Sequence, residues 1–334
     1  MSTRVLLTGG TGFIGANLVR HLVERDREVL CLTRKSSPGL CLEGLPITTS
    51  QAPLGDVEAL AQAMDGCEEV YHLAGIFDPS PKGEELMFQV HVEGTRNLLQ
   101  AARMVGARRV LVCSSSVTVG FGSKQAPGDE DTAFDPTPVY GAKGPLRAYY
   151  ESKLESERLA EQAEGVEAVI VNPDFILGAW DIKPTSGQLV LTMAQRWVPI
   201  YPKGGKCFQD ADDCAIGHIL AMEKGRHGRR YLLGNENHSY REFMGIIADV
   251  VGRRPPLLPL PRTAAEVVGL VGAVGARVDA HRFAGMDRYV LRSMGLPRYR
   301  TGDRAHQELG VPRTPLNVSV EKAWRWFREH GYLD

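Results

Sequence analysis

The chain has 334 residues, 43% of them hydrophobic, enough to bury a sizeable core in one large or two fused domains. A formal net charge of -1 leaves no electrostatic footprint for nucleic acid or an anionic membrane, so the expected partner is a small molecule. Six scattered cysteines, Cys31, Cys41, Cys67, Cys113, Cys207 and Cys214, form no C-x-x-C pair and read as reduced core thiols, with neither a disulfide frame nor a metal site.

In chain order, "RVLLTGG" (4–10) is a short apolar run ending in glycine, and "GANLVRHLVERD" (15–26) places apolar residues at helical spacing. No charged leader and apolar segment stands ahead of that first strand, so a cytoplasmic protein is expected. "EVLCLTR" (28–34) is a second strand, and "VEALAQAMDG" (57–66) is a helix closed by Gly66. "EEVYHLAG" (68–75), "RRVLVCSSS" (108–116) and "EAVIVNP" (167–173) are further strands, separated by helical stretches at 84–105 and 146–164. These strands are apolar throughout instead of alternating, which predicts a parallel sheet covered on both faces. Beyond about 180 the segments "GQLVLTMAQRW", "DCAIGHILAMEKG" and "SYREFMGIIADVVG" read as helices of a smaller lobe, with "RRPPLLPLPR" (253–262) as a connector. The run at 263–278 is apolar but interrupted by Gly269, Gly272 and Gly275, and is too short to span a bilayer; it reads as a packing or lid helix.

The predicted architecture is α/β: a Rossmann-type doubly wound parallel sheet with a smaller, mostly helical C-terminal substrate lobe. Residues 1–178 form the dinucleotide-binding domain, with 208–235 returning to it, and 179–207 with 236–334 form the lobe.

"TGGTGFIG" sets Gly9, Gly12 and Gly15 between the first strand and the first helix. Gly9 permits the tight turn, Gly12 lets the backbone approach a pyrophosphate, and Gly15 lets helix and strand pack closely, while the helix N-terminus attracts phosphate. The second strand ends in Thr33, Arg34 and Lys35, where an acidic residue would bind the ribose hydroxyls of NAD. A guanidinium there pairs with a 2′-phosphate, so NADP(H) is favoured over NAD(H). Asp56, in "LGDV" (54–57), is placed to meet the adenine amino group or to cap the following helix.

In "RAYYESKLESERL" (147–159) residues four apart share a helix face, so Tyr149 and Lys153 point together, whereas Tyr150 pairs with Leu154. A cation close to a phenol favours the phenolate and lowers its pKa toward the range of a general acid or base. Ser114, Ser115 and Ser116 follow a central strand, where a hydroxyl can bond a substrate carbonyl oxygen.

With these motifs, and with "HLAG" (72–75), "HVEGTRNLL" (91–99), "VNP" (171–173), "DIKPT" (181–185), "FQDADDCAIGH" (208–218) and "RRYLLGNEN" (229–237), nearly the whole chain resembles an extended short-chain dehydrogenase/reductase. The similar branch holds dihydroflavonol reductases, 3β-hydroxysteroid dehydrogenases and hopanoid-associated sugar epimerases. The resemblance implies Ser116 as the catalytic serine, with Ser115 as the fallback, beside Tyr149 and Lys153. It implies cofactor contacts from Gly9, Thr11, Gly12, Phe13, Ile14, Gly15, Arg34, Lys35, Asp56, Val57, Leu73, Ala74, Tyr149, Lys153 and Pro173. A homodimer through a four-helix contact is implied as well. Three positions depart from the family pattern: His91 replaces the usual asparagine, Ala148 a common proline, and Lys206-Cys207-Phe208 the Arg-Asp-Phe of nucleotide-sugar relatives. Lysine keeps a charge there but loses the bidentate fork.

The expected activity is therefore hydride transfer between nicotinamide and a ketone or secondary alcohol on a largely apolar, sterol-like or polycyclic lipid substrate, including a variant that decarboxylates a 3-hydroxy acid. Phe175, Ile176 and Trp180 are the candidate substrate residues. A sugar epimerase is the alternative, and a cofactor-sensing protein without turnover is a third reading, against which the intact Tyr149 and Lys153 stand.

Overall fold

The computed structural model describes residues 3–34, 39–80, 82–261 and 292–333. Its strands are β1 (Arg4–Thr8), β2 (Glu28–Leu32), β3 (Thr48–Ser50), β4 (Glu69–His72), β5 (Arg109–Cys113), β6 (Glu167–Pro173), β7 (Phe175–Leu177), β8 (Ile200–Tyr201), β9 (Gly205–Asp210), β10 (Arg230–Leu233), β11 (Glu236–Ser239), β12 (Leu258–Pro259) and β13 (Pro297–Arg298). Seven of them form one parallel sheet in the order β10-β6-β5-β4-β1-β2-β3. From β1 the chain winds outward to β3, then returns to β4 on the other side of β1. That reversal leaves a crevice at the carboxyl ends of β1 and β4, where Thr8 and His72 sit in register.

The helices are α1 (Phe13–Val23), α2 (Val57–Met64), α3 (Gly83–Phe88), α4 (Gly94–Met104), α5 (Thr137–Tyr140), α6 (Pro145–Glu161), α7 (Gln188–Gln195), α8 (Ala211–Lys224), α9 (Tyr240–Val251) and a C-terminal helix, Leu316–Glu329. Strand side chains alternate between two cores. Val5, Leu7, Val29, Cys31 and Leu111 pack with α1 and α8, whereas Leu6, Leu30, Val70, Val110, Val112 and Ile170 pack with α2, α4 and α6. Both faces are buried, which is why these strands are apolar at every position. Each such side chain contributes about 1.5–3 kcal/mol by leaving water. Between α3 and α4 the helix widens into a π-helical segment, Gln89–Glu93, so the expected single helix is continuous but locally underwound.

The C-terminal part is less purely helical than its sequence suggests. β9 pairs antiparallel with β11 and parallel with β7 and β13 in a second small sheet, and β8 pairs with β12. These strands are two to six residues long, and β9 buries Gln209 and Asp210 beside Cys207 and Phe208, so no long apolar run announces them. α7, α9 and the C-terminal helix pack beside that sheet around Leu177, Val190, Phe208, Phe243 and Val320. Among the described residues no helix is long and apolar enough to cross a membrane. The apolar run at 263–278 lies outside the described residues, as does Lys35.

Candidate active site

A cleft of about 570 Å³ opens at the crevice between β1 and β4 and is lined by the glycine turn, the 73–77 loop, the end of β5, α6 and the segment after β6. Gly9 has φ +77°, and a Cβ there would lie 2.7 Å from the Leu73 carbonyl carbon. A Cβ on Gly15 would lie 2.2 Å from the Gly9 carbonyl oxygen, so only glycine lets α1 start this close to β1. Gly12 is the N-cap of α1 and no side chain caps that helix, which leaves its first backbone N–H groups directed to the cleft wall formed by Gly12, Phe13 and Ile14. This cradle fits a pyrophosphate.

The remaining cofactor candidates divide. Leu73 lines the cleft, the Ala74 N–H donates to Thr8 Oγ1 at 3.1 Å, and Pro173 ends β6 just before the lining residue Asp174. Thr11 accepts from Cys41 Sγ through its carbonyl at 3.1 Å. Arg34 is exposed after the end of β2. Asp56 is the N-cap of α2, accepting from the Ala59 N–H at 3.0 Å, with Val57 as the first helical residue, so the capping role stands on observed geometry. Thr11, Arg34, Asp56 and Val57 are not among the residues that line the cleft.

Tyr149 and Lys153 both line it. Tyr150 turns away and packs on Phe134 and Tyr140 with ring centroids 5.8 and 5.7 Å apart. The Tyr149 ring sits edge-on to Phe77 at 5.7 Å and to His91 at 5.6 Å. Burial pushes its pKa up to about 12, opposed by hydrogen bonding with the Ser115 side chain. This corrects the expected fall in pKa: Lys153 donates to the Cys113 carbonyl oxygen at 3.0 Å, and desolvation of the phenol prevails. Burial also lowers the pKa of Lys153, with Cys113 and Glu157 opposing it.

The three serines take different surroundings, with Ser114 alone of them lining the cleft. Ser115 is the hydroxyl that meets the Tyr149 phenol, whereas Ser116 is buried as the first residue of a 3-10 turn, Ser116–Thr118. Ser114 donates to Glu157 Oε1, which also accepts from Thr118 Oγ1 at 2.5 Å and Asn172 Nδ2 at 2.6 Å. Glu157 lies on α6 one turn beyond Lys153, so one buried carboxylate ties the serine loop to the helix that carries the tyrosine.

Phe175 and Ile176 line the cleft as expected, joined by Ile76, Phe77, Thr185 and Ser186. Ile76 and Phe77 escaped sequence reading, since only their position after "HLAG" marked them. Trp180 does not line the cleft. Its backbone, at φ +72°, turns the indole under the Arg20 guanidinium, 3.2 Å from the ring centroid, and onto Trp326 at 5.6 Å.

Two cations, Arg300 and Lys206, stand close to the cleft-lining residues Asp174 and Phe175. Arg300 is buried, donating to Asp174 Oδ2 at 2.9 Å, to the Gly120 carbonyl at 3.0 Å and twice to the Val119 carbonyl. Lys206 lies 4.9 Å above the Phe175 ring, and burial, reinforced by Arg298 nearby, lowers its pKa to about 7. Neither is a strong, free anion receptor.

Comparison with known proteins agrees with the geometry. A Synechocystis protein named as a dihydroflavonol 4-reductase is 35% identical over 344 aligned residues, covering 100% of this chain and 97% of that one. Sterol demethylase protein B of Methylococcus capsulatus is 29% identical over 332 residues, covering 98% of this chain and 99% of its own. The crystal structure of gox2253 superposes with a TM-score of 0.84 at 32% identity over 100% of both chains. The NAD dependent epimerase/dehydratase model matches residues 5–234, spanning the glycine turn, the serine loop, Tyr149, Lys153 and β10. The chain belongs to the NAD dependent epimerase/dehydratase family, the extended short-chain dehydrogenases/reductases, and is an NAD(P)-dependent enzyme of that family.

Proposed function

We propose that this enzyme is an NADP(H)-dependent oxidoreductase that moves a hydride between nicotinamide and a ketone or secondary alcohol on a largely apolar substrate. The observation that carries this reading is the sharing of one cleft by the phosphate cradle at Gly9–Gly15, the Tyr149 and Lys153 pair, and a wall of Ile76, Phe77, Phe175 and Ile176. The names of two relatives, a dihydroflavonol 4-reductase and a sterol demethylase protein, support a polycyclic, hydrophobic substrate class. Lys206, which stands where nucleotide-sugar relatives carry arginine, has its pKa lowered to about 7 by burial and offers no bidentate fork, which argues against a sugar diphosphate there.

When bound, nicotinamide supplies the hydride acceptor or donor. The chain supplies the rest. Gly12, Phe13 and Ile14 would hold the pyrophosphate, Arg34 a 2′-phosphate, and Lys153 the nicotinamide ribose. Tyr149 gives its phenolic proton to the carbonyl oxygen in reduction and removes the hydroxyl proton in oxidation. Ser115 donates to the same substrate oxygen and stabilises its developing charge. The apolar wall excludes water from the reacting carbon.

The test is a screen of apolar ketones and secondary alcohols, each with NADPH and NADH side by side, following nicotinamide absorbance. The reading requires net absorbance change with at least one apolar substrate and faster turnover with NADPH. Cofactor that survives purification, with conversion of a sugar nucleotide and no net absorbance change, would show an epimerase instead.

A further inference from the structure

His91, where relatives carry asparagine, is buried at 1% exposure inside the π-helical segment Gln89–Glu93. Its Nε2 faces the Ile76 N–H at 3.0 Å, and a backbone amide can only donate, so Nε2 accepts and the ring proton rests on Nδ1. Nδ1 then donates to Ser152 Oγ at 2.8 Å, and Ser152 Oγ donates to the Tyr149 carbonyl oxygen at 3.1 Å. The His91 ring also meets the Tyr149 ring edge-on, as Phe77 does.

A second series of bonds runs from the end of β1 to the His91 backbone. The Ala74 N–H donates to Thr8 Oγ1 at 3.1 Å; because the Thr95 hydroxyl proton is spent on the His91 carbonyl, Thr95 accepts from His72 Nε2, and Nδ1 of the neutral His72 ring accepts from the Thr8 hydroxyl at 2.8 Å. His72 Nε2 donates to Thr95 Oγ1 at 3.2 Å, whose hydroxyl donates to the His91 carbonyl oxygen at 2.5 Å. In each series every hydroxyl and imidazole gives one proton and receives one bond; the series from Thr8 ends at the His91 carbonyl, and the one through the His91 ring runs from the Ile76 N–H to the Tyr149 carbonyl. Desolvation by burial, with Lys153 nearby, holds both imidazoles neutral, with pKa values of about 3 for His72 and about 2 for His91. A charged His91 would turn Nε2 into a donor facing the Ile76 N–H and break that bond.

We propose that His91 is the positioning residue for Tyr149, fixing the phenol against the Gly75–Phe77 wall of the cleft and relaying that register to the turn after β1. This rests on Tyr149 being the acid–base group of the proposed reaction. Asparagine at the same place offers an amide N–H near Nδ1 but not a second group at Nε2. Histidine therefore adds the tie to the Ile76 backbone and, through it, to Phe77.

The test is steady-state kinetics and cofactor titration on the full-length enzyme. His91→Ala is expected to lower kcat about 10–100-fold while cofactor affinity stays within about twofold, and His91→Asn to recover about tenfold of that loss by restoring the bond to Ser152. Ser152→Ala removes the acceptor while leaving the ring in place, and is expected to lower kcat about tenfold even if His91→Ala does not fold. Wild-type kcat in both His91→Ala and Ser152→Ala, or equal losses in the Ala and Asn variants, would overturn the positioning role. Tyr149→Phe runs beside them as a control. If it is inactive while the His91 and Ser152 variants match wild type, only the positioning role falls; if it is fully active, the reading of the reaction falls with it.

Discussion

The Lys153 ammonium donates to the Cys113 carbonyl oxygen at 3.0 Å, joining the middle of α6 to the end of β5. Its position is thus set by the strand as well as by its own helix, and a Cβ on Gly75 would come within 3.1 Å of Nζ. The lysine serves the site through both its charge and its anchorage. Lys153→Met keeps the length of the stem and removes both, and is expected to lower kcat about 10²–10⁴-fold with weaker cofactor binding as well. Cofactor fluorescence titration beside steady-state rates checks it; unchanged cofactor affinity would show that the ammonium does not touch the cofactor.

The two directions of reaction are expected to respond differently to pH. Burial raises the Tyr149 pKa to about 12, so around neutrality the phenol is protonated and ready to act as an acid. Reduction of a ketone should therefore be insensitive to pH across neutrality, whereas alcohol oxidation, which needs the phenolate, should rise up to about tenfold per pH unit until the phenol titrates. His72 and His91, held neutral far below this range, add no inflection near pH 6 to 7 of their own. Rates of both directions across a pH series decide the matter, and reduction that falls steadily as pH rises through neutrality would contradict it.

Ser115 and Ser116 are distinguished by one comparison. Ser115→Ala removes the hydroxyl that bonds the phenol and is expected to lower kcat about 10²-fold or more, as loss of one donor to a developing oxyanion does. Ser116→Ala, in the buried turn, is expected to leave kcat within about threefold. The reverse order of losses would return the catalytic role to Ser116.

Arg34→Glu puts a carboxylate at the position proposed to meet the 2′-phosphate of NADP. The expected result is weakening of NADPH by at least about tenfold more than of NADH, measured by titrating both cofactors with wild type and variant. Equal effects on the two would reject a phosphate contact at this position.

Much of this was legible in the sequence because the signals are local. The strands of the main sheet are buried on both faces, so β1, β2, β5 and β6 show as apolar runs, and glycine spacing marks a turn whose φ and close approaches admit no side chain. Tyr149 and Lys153 follow from helical periodicity alone. What escaped depends on contacts between distant segments. β3 is a three-residue edge strand with exposed threonines, and β9 owes its place to pairing with β7, β11 and β13. Three consecutive serines look equivalent until the end of β5 turns Ser115 to the tyrosine and Ser114 to Glu157. Trp180 reads as pocket lining, yet its positive φ and the Arg20 guanidinium carry it into a separate aromatic cluster. The role of His91 was hidden for the same reason, since only the fold brings Ile76, Ser152 and Tyr149 around it.

The most direct measurement is the turnover of Tyr149→Phe with its cofactor affinity determined on the same preparation. The substitution deletes the one proton that the proposed reaction exchanges and keeps the ring that contacts Phe77 and His91. The expected result is kcat lowered by at least about 10²–10⁴-fold with NADPH binding within about threefold of wild type. Wild-type turnover in this variant would contradict the assignment of Tyr149 as the acid–base group and, with it, the chemistry proposed for the cleft.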